Sequence, residues 1–291
     1  MKEIAIIGST ASGKTALSID IAQKTNSIIL SLDSLSVYKE IDIASAKPTL
    51  EERGDIQHFG IDELYPNEKF DVIKFFDCYK KAKSFALENS KNLIIVGGTG
   101  FYLKALIEGL STGIKEDIPL EKSLEDTYKE LSTIDPKYMA KIASNDQYRI
   151  KKAYSIYKQS SYPPSKYFEL NPKEPIAKNL EIFEILWDRE ELRKRIDLRT
   201  SLMIKGGIID EVISLEKKYG RAPNSMSSIG IIETLEYIDG KIDKKRLQEK
   251  IALNTAKLAK RQNTFNKGQF KNKTSNFIKD LNSDILKSFS I

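Results

Sequence analysis

Short apolar runs recur through the first hundred positions, each closed by glycine or a polar residue, and they set the expected architecture. Ile4-Ala5-Ile6-Ile7, residues 27–32 and Leu93-Ile94-Ile95-Val96 are too short for helices and almost wholly apolar, as strands buried on both faces are. Between them the period becomes helical. Leu17 and Ile21 share one face, and Val72, Phe75, Phe76, Tyr79, Ala82 and Ala86 follow i, i+3, i+4, i+7 spacing. A further short strand is expected at 58–61 and a helix at 101–106, whereas 43–48 has neither period and ends in Pro48, so it reads as a loop. Strands alternating with helices predict an α/β fold, a parallel sheet flanked by helices.

From residue 113 the strand-like runs stop. Charged helical stretches, punctuated by Asp135-Pro136 and Pro163-Pro164, predict a small all-helical insertion over 113–178. Within it Ile150, Ala153, Tyr154 and Tyr157 form one helix face, with Arg149, Lys151 and Lys152 opposite and Tyr148, Tyr162, Tyr167 and Phe168 nearby. Interleaved aromatics and cations suit single-stranded nucleic acid, and a small helical core needs the same aromatics. Residues 179–188 alternate and are rich in β-formers, so the chain is expected to return to the sheet and continue in helices over 189–205, 208–219 and 244–265. Beyond Gly268 the sequence is polar, with Phe277, Ile278, Leu281, Ile285 and Leu286 anchoring one last short helix. The expected organisation is a phosphate-binding core over 1–112, the insertion over 113–178 and the rest of the core over 179–291.

Composition narrows the function classes. At 291 residues and 40% hydrophobic content the chain can bury a sizeable core. No apolar run approaches the roughly 18 residues that span a bilayer, so no membrane partner is expected and the cytoplasm is the default location. One cysteine, Cys78, and one histidine, His58, leave no internal disulfide and no ordinary zinc site, and both read most simply as packed side chains. The net charge of +6 is concentrated: residues 246–273 hold eight basic side chains against the lone acid Glu249. Such a stretch points to a polyanionic partner, nucleic acid above all, or to a solvated helix face.

The first strand runs into Gly8-Ser9-Thr10-Ala11-Ser12-Gly13-Lys14-Thr15, which fits the phosphate-loop pattern G-x-x-x-x-G-K-[ST] at every defined position and opens the first helix as that motif requires. Its N–H groups can converge on phosphate oxygens, Lys14 adds a positive charge, and the Thr15 hydroxyl can join a phosphate-bound Mg²⁺. The second strand ends at Asp33-Ser34; ligands of open α/β sheets bind beyond the carboxyl ends of strands, so Asp33 is expected beside the loop, or else serves as a helix cap. Leu93–Val96 leads into a second glycine-rich turn, Gly97-Gly98-Thr99-Gly100, where nucleotide-hydrolysing relatives of the loop carry an Asp for Mg²⁺. That difference favours a Thr99 hydroxyl contacting the ligand over a nucleotide-driven motor.

Together these pieces resemble the tRNA dimethylallyltransferase (tRNA isopentenyltransferase) family. The likeness is carried by the loop, Asp33-Ser34 with Val37-Tyr38, Asp42-Ile43 with Ala46-Lys47-Pro48, Gly97-Gly98-Thr99 with Tyr102, and Asn145-Asp146 with Arg149. It continues through Arg199 with Met203 and Gly207, Ile229-Gly230 with Glu233, and Lys257, Ala259-Lys260-Arg261-Gln262 and Thr264. The resemblance implies transfer of a dimethylallyl group from dimethylallyl diphosphate to N6 of the adenosine 3′ to the anticodon, in tRNAs reading codons that begin with U. It implies Asp33 as general base, with Thr99 and Arg199 also catalytic, and residues Gly8 to Thr15 holding the diphosphate with Mg²⁺ at Thr15. Contact with the anticodon arm is implied for Asp33, Ser34, Leu35, Ser36, Thr99, Tyr148, Arg149, Lys151, Lys152, Lys257, Lys260 and Arg261, in a protein expected to act as a monomer. The chain departs from the family pattern at Ser9, where proline is usual, at Tyr148, where Gln is common, and at Ile231-Ile232, where an aromatic and a polar or basic residue usually stand. Two other readings stay open. A small-molecule kinase would use the loop for ATP but needs lid arginines and a metal-holding Asp after the later strand, and a non-catalytic RNA-binding protein would have no use for Asp33.

Overall fold

A computed structural model describes residues 1–111 and 118–290. It divides into two compact units, 1–104 with 179–291, and 105–178.

The larger unit is built on a six-stranded sheet. In chain order its elements begin with β1 (Glu3–Gly8), α1 (Lys14–Lys24), β2 (Ser27–Ser31), α2 (Leu50–Arg53) and β3 (His58–Phe59). They go on through α3 (Val72–Glu88), β4 (Asn92–Gly97) and α4 (Gly100–Glu108), which crosses the division between the units. Every strand pairing is parallel, in the order β3-β2-β4-β1 with two later strands, β5 and β6, beyond β1. Ile4, Ala5, Ile6, Leu93, Ile94 and Ile95 are wholly buried, as central parallel strands covered by helices on both faces must be. Because the chain builds one half of the sheet before crossing to the other side of β1, the crevice opens at the carboxyl end of β1, where the phosphate loop lies.

The smaller unit contains α5 (Leu124–Ile134), α6 (Pro136–Met139), α7 (Gln147–Ser160) and α8 (Pro164–Leu170), and no strand among its described residues. Leu131, Met139, Ile142, Ile150, Ala153 and Tyr154 form its core. The Asp135 carboxylate is buried at 4% exposure because both its oxygens are used, accepting the N–H of Tyr138 at 3.1 Å and of Ser165 at 2.7 Å. The boundary expected at 112/113 falls outside the described residues, and the contacts divide earlier, at 104/105. The physical reason is local pairing: the Leu106 carbonyl accepts the N–H of Ile176 and Ala177, both at 3.0 Å, which ties the end of α4 to the exit of this unit.

The chain then returns as β5 (Glu181–Leu186) beside β1 and continues through α9 (Arg189–Lys205), α10 (Ile208–Tyr219), a 3₁₀ turn (Asn224–Ser227), α11 (Ile231–Ile238) and α12 (Lys244–Gln269). The expected helices fall where α9, α10 and α12 lie. α11 lacked a sequence-level signal beyond Gly230 and Glu233, whose buried carboxylate caps the helix through the Gly230 N–H at 2.7 Å and takes the Asn254 amide at 2.6 Å. Ile231 is fully buried in the core beneath it, whereas Ile232 is exposed.

The tail beyond Gly268 is more structured than its polarity suggested. β6 (Thr274–Phe277) adds an edge strand to β5, Phe183 pairing with Thr274 and Leu186 with Phe277. It is polar because an edge strand buries little, so hydrophobic periodicity gives no signal there. The largely buried Lys273 and Glu184, 3.2 Å apart, pin its start. α13 (Ile278–Ser288) follows, and its Leu281 and Ile285 are buried with Leu17 and Ile21 of α1 against β1, β4 and β5.

Candidate active site

The phosphate loop bridges β1 and α1 through backbone shapes that its residues allow. Gly8 (φ 154°) leaves no room for a side chain, since a Cβ there would meet Ser12 Oγ at 3.0 Å and the Ile185 carbonyl at 3.2 Å. Gly13 (φ 89°) precedes Lys14 in the left-handed region that glycine enters freely. Ala11 also adopts a positive φ, 64°, without that freedom. The Lys14 ammonium folds back onto the Ser9 carbonyl at 2.6 Å.

A cleft of about 650 Å³ opens over this loop. Thr10 to Thr15 line it, with Asp33 and Ser36 after β2, Ser45 to Pro48 of the following loop, Gly97 and Gly98 at the end of β4, Arg195 and Arg199 of α9, and Gln262 of α12. Asp33 therefore stands where the sheet rule placed it; no helix follows it to be capped, and its Oδ1 instead holds a turn by accepting the N–H of Leu35 at 2.8 Å and of Ser36 at 3.2 Å. The residues that this turn carries divide in exposure, with Ser34 exposed, Leu35 half-buried and Ser36 buried.

Charges converge on the loop. Burial pushes the Lys14 ammonium down to about 8; Asp33 opposes that shift and Arg199 adds to it. Arg199 is likewise lowered by burial and supported by Asp33, and its Nη2 reaches the Ser45 carbonyl at 3.4 Å. One carboxylate thus compensates two buried cations beside the loop. The sign is clear for Lys14: charged below about pH 8 and neutral above it, so it supports an anion only on the acid side. Loss of the Lys14 charge is accordingly expected to weaken pyrophosphate binding as the pH rises through about 8, on top of the ligand's own protonation, which calorimetric titration from pH 6.5 to 9.5 checks.

Some of the site was not read from the sequence. Trp187, after β5, donates its Nε1–H to the Ser12 carbonyl at 2.8 Å, and Arg195 donates its Nε–H to the Ala11 carbonyl at 2.7 Å. Gln262 accepts the Thr10 N–H at 2.8 Å and donates to the Gly98 carbonyl at 3.1 Å, joining the loop to the turn after β4. The glycines of that turn are explained by close approach as much as by a ligand: an added Cβ would lie 2.6 Å from Leu32 Cβ at Gly97, 2.3 Å from the Gln262 amide at Gly98 and 2.6 Å from the Phe265 ring at Gly100. Thr99 is half-buried and is not among the residues lining the cleft, and its carbonyl accepts the Tyr102 N–H at 3.1 Å. His58 also lines the cleft, with its Nδ1 on the Ile56 carbonyl at 2.8 Å and its basicity reduced by burial.

The aromatic and basic residues expected to grip nucleic acid, apart from the turns at Asp33–Ser36 and Thr99, lie on two helices. Lys257, Lys260 and Arg261 are exposed on α12. In the smaller unit, Tyr148 (68% exposed) and Arg149 lie at the start of α7, with Arg149 3.3 Å from Asp146, and Lys151 and Lys152 are half-buried. Of the aromatics expected around them, Tyr148 and Tyr162 are exposed; Tyr167 is buried, and Phe168 packs on Tyr138 with ring centroids 5.8 Å apart. Those two serve the core of the unit.

A phosphate-loop motif at the switch point of a parallel sheet, faced in one cleft by a carboxylate and two arginines, places the chain in the phosphate-loop fold class. The family model for IPP transferase matches residues 36–269. A tRNA dimethylallyltransferase from Aliarcobacter butzleri is 70% identical over all 291 residues and the whole of its own length. Among solved structures, the tRNA isopentenylpyrophosphate transferase of Bacillus halodurans superposes with a TM-score of 0.74 at 29% identity, covering 99% of this chain and 97% of that one. A eukaryotic dimethylallyltransferase captured acting on tRNA superposes with a TM-score of 0.82 at 26% identity, covering 91% of this chain and 70% of that one. The chain belongs to the tRNA dimethylallyltransferase, or IPP transferase, family.

Proposed function

We propose that this cleft transfers a dimethylallyl group from dimethylallyl diphosphate to N6 of the adenosine 3′ to the anticodon, in tRNAs reading codons that begin with U. The observation that carries the reading is the shared cleft of Asp33, Lys14 and Arg199: an anion seat whose neighbouring carboxylate can take a proton. N6 attacks C1 of the dimethylallyl group, the C1–oxygen bond breaks towards diphosphate, and the N6 proton passes to Asp33. An adenine amine is a poor nucleophile until that proton begins to leave, so a positioned carboxylate lowers the barrier. Lys14, Arg199 and the loop N–H groups stabilise the charge developing on the departing diphosphate. Reaching N6 requires the base to leave the anticodon stack, as enzymes acting on nucleobases require. Thr99, one residue past the donor wall, is assigned to the incoming nucleoside.

The donor set suits Mg²⁺ held mainly by the substrate. No cluster of three acidic or His/Cys ligands occurs among the described residues, whereas Thr15 presents one hydroxyl at the exposed first turn of α1, and Mg²⁺ takes few protein oxygens alongside phosphate oxygens and water. Bound there, it would add positive charge to the leaving diphosphate. No described helix is long and apolar enough to cross a membrane.

The test is to incubate the protein with unmodified tRNA, Mg²⁺ and either dimethylallyl diphosphate or ATP. Prenylated RNA with release of pyrophosphate is expected; consumption of ATP, or no turnover with either donor, would overturn the reading. The anticodon arm is assigned to Lys257, Lys260 and Arg261 and to the exposed start of α7. Charge reversal at Lys260 and Arg261 is expected to weaken tRNA binding by about tenfold or more at 0.15 M salt and to reduce the salt slope by about 2, with pyrophosphate affinity unchanged. Filter binding across a salt series reads this directly, and equal losses for both ligands would contradict the assignment.

A further inference from the structure

We propose that Arg195 and Trp187 form a clamp that holds the phosphate loop in its anion-accepting shape before the donor arrives, which makes Arg195 a positioning residue for the transfer. The proposal rests on the reading of the loop as a diphosphate seat.

Each peptide unit is planar, with its C=O and N–H pointing in opposite directions. Fixing the Ala11 and Ser12 carbonyls from behind therefore turns the N–H groups of Ser12 and Gly13 the other way, towards the inside of the loop, where the Ser12 N–H meets the Ser9 carbonyl at 3.3 Å. Arg195 Nε holds the first carbonyl at 2.7 Å and Trp187 Nε1 the second at 2.8 Å. The two donors act as one unit, because the guanidinium lies over the indole with its centre 4.5 Å from the ring centroid. The clamp bears on the one strained point of the loop. Ala11 sits at φ 64°, a conformation that a residue with a Cβ keeps only when its surroundings impose it, and it packs against the buried cluster of Leu192, Ile196, Ala252 and Ala259 that Trp187 also joins. Gly13 completes the fit, since a Cβ there would come within 3.4 Å of Arg195 Nη2.

Arginine is required by this geometry. A lysine ammonium cannot stack its plane on an indole while a second nitrogen along the chain donates to a carbonyl. Trp187 is also the single tryptophan of the chain, so its emission reports on the loop alone.

The experiment titrates wild-type protein, R195K, R195A and W187F with inorganic pyrophosphate and Mg²⁺, by calorimetry for all and by tryptophan emission where Trp187 is kept. Donor KM, tRNA KM and kcat are measured alongside. Wild type is expected to bind pyrophosphate with a change in emission. R195A is expected to bind it about ten- to a hundredfold more weakly, the scale on which misplacement of binding groups acts, with donor KM raised and tRNA KM unchanged. R195K should fail to restore affinity, and W187F, which keeps an aromatic face but loses the Ser12 bond, should fall between. Wild-type pyrophosphate affinity in R195A or R195K would overturn the clamp, as would equal losses for pyrophosphate and tRNA. If the wild-type protein itself does not bind pyrophosphate, the diphosphate seat falls and the clamp with it, an outcome distinct from a variant that binds normally.

Discussion

Replacement of Asp33 by asparagine is expected to lower kcat for prenyl transfer by about a thousandfold, within the 10²–10⁴ that a positioned base supplies. Asparagine is the informative change. Its side-chain oxygen can keep accepting the N–H of Leu35 and Ser36, so the turn after β2 survives, while the group that takes the N6 proton is gone. Pyrophosphate affinity at pH 7 is expected to stay within a few-fold of wild type, because Lys14 remains charged there and a negative neighbour of the diphosphate has been removed. Since Asp33 holds the Lys14 ammonium up against burial, the pH at which pyrophosphate binding begins to weaken should move below 8 in this variant. Single-turnover transfer to unmodified tRNA, with pyrophosphate titrations across pH, measures both. Turnover like that of wild type would remove Asp33 as the base.

Arg199→Gln is expected to lower kcat/KM for the donor by about a hundred- to a thousandfold, the range lost when one preorganised group is withdrawn from a developing anion. Its second signature runs opposite to that of Asp33→Asn. Arg199 depresses the Lys14 ammonium, so its removal should move the onset of weakened pyrophosphate binding above pH 8. Opposite displacements from two variants that both impair transfer would establish Asp33, Lys14 and Arg199 as one electrostatic unit. Displacement in the same direction would separate Arg199 from the loop. Arg199→Lys should recover part of the rate, because it keeps the charge but loses the planar fork that meets two phosphate oxygens at once.

Much of this site is legible without coordinates, for reasons that particular residues make plain. The phosphate loop is read from one stretch because its shape is set by its own glycines and by the strand and helix that flank it. Asp33 is read from position, since the carboxyl end of a buried strand in an open parallel sheet faces the ligand. Arg199 is brought in by resemblance, as nothing in the pattern of α9 separates it from the other basic residues of that helix. Gln262 entered only as part of the family likeness, and the hold that it, Trp187 and Arg195 have on the loop stayed hidden because they reach it from 252, 175 and 184 residues away. The Gly97-Gly98 turn, read as ligand-facing, lines the cleft, but the side chains that would collide with a Cβ there belong to Leu32 and Gln262. β6 escaped notice because an edge strand can be polar throughout.

By itself the sequence determined the alternation of strands and helices, the phosphate loop, the helical character of the stretch before β5, and the basic run along α12. These follow from side-chain periodicity and from backbone preferences that act over a few residues. The tertiary structure alone decided that one carboxylate should balance Lys14 and Arg199 at the end of the sheet, and that Trp187, Arg195 and Gln262 should grip the loop from outside. Such contacts depend on which distant segments the packing of helices brings against β1, and no local preference encodes them.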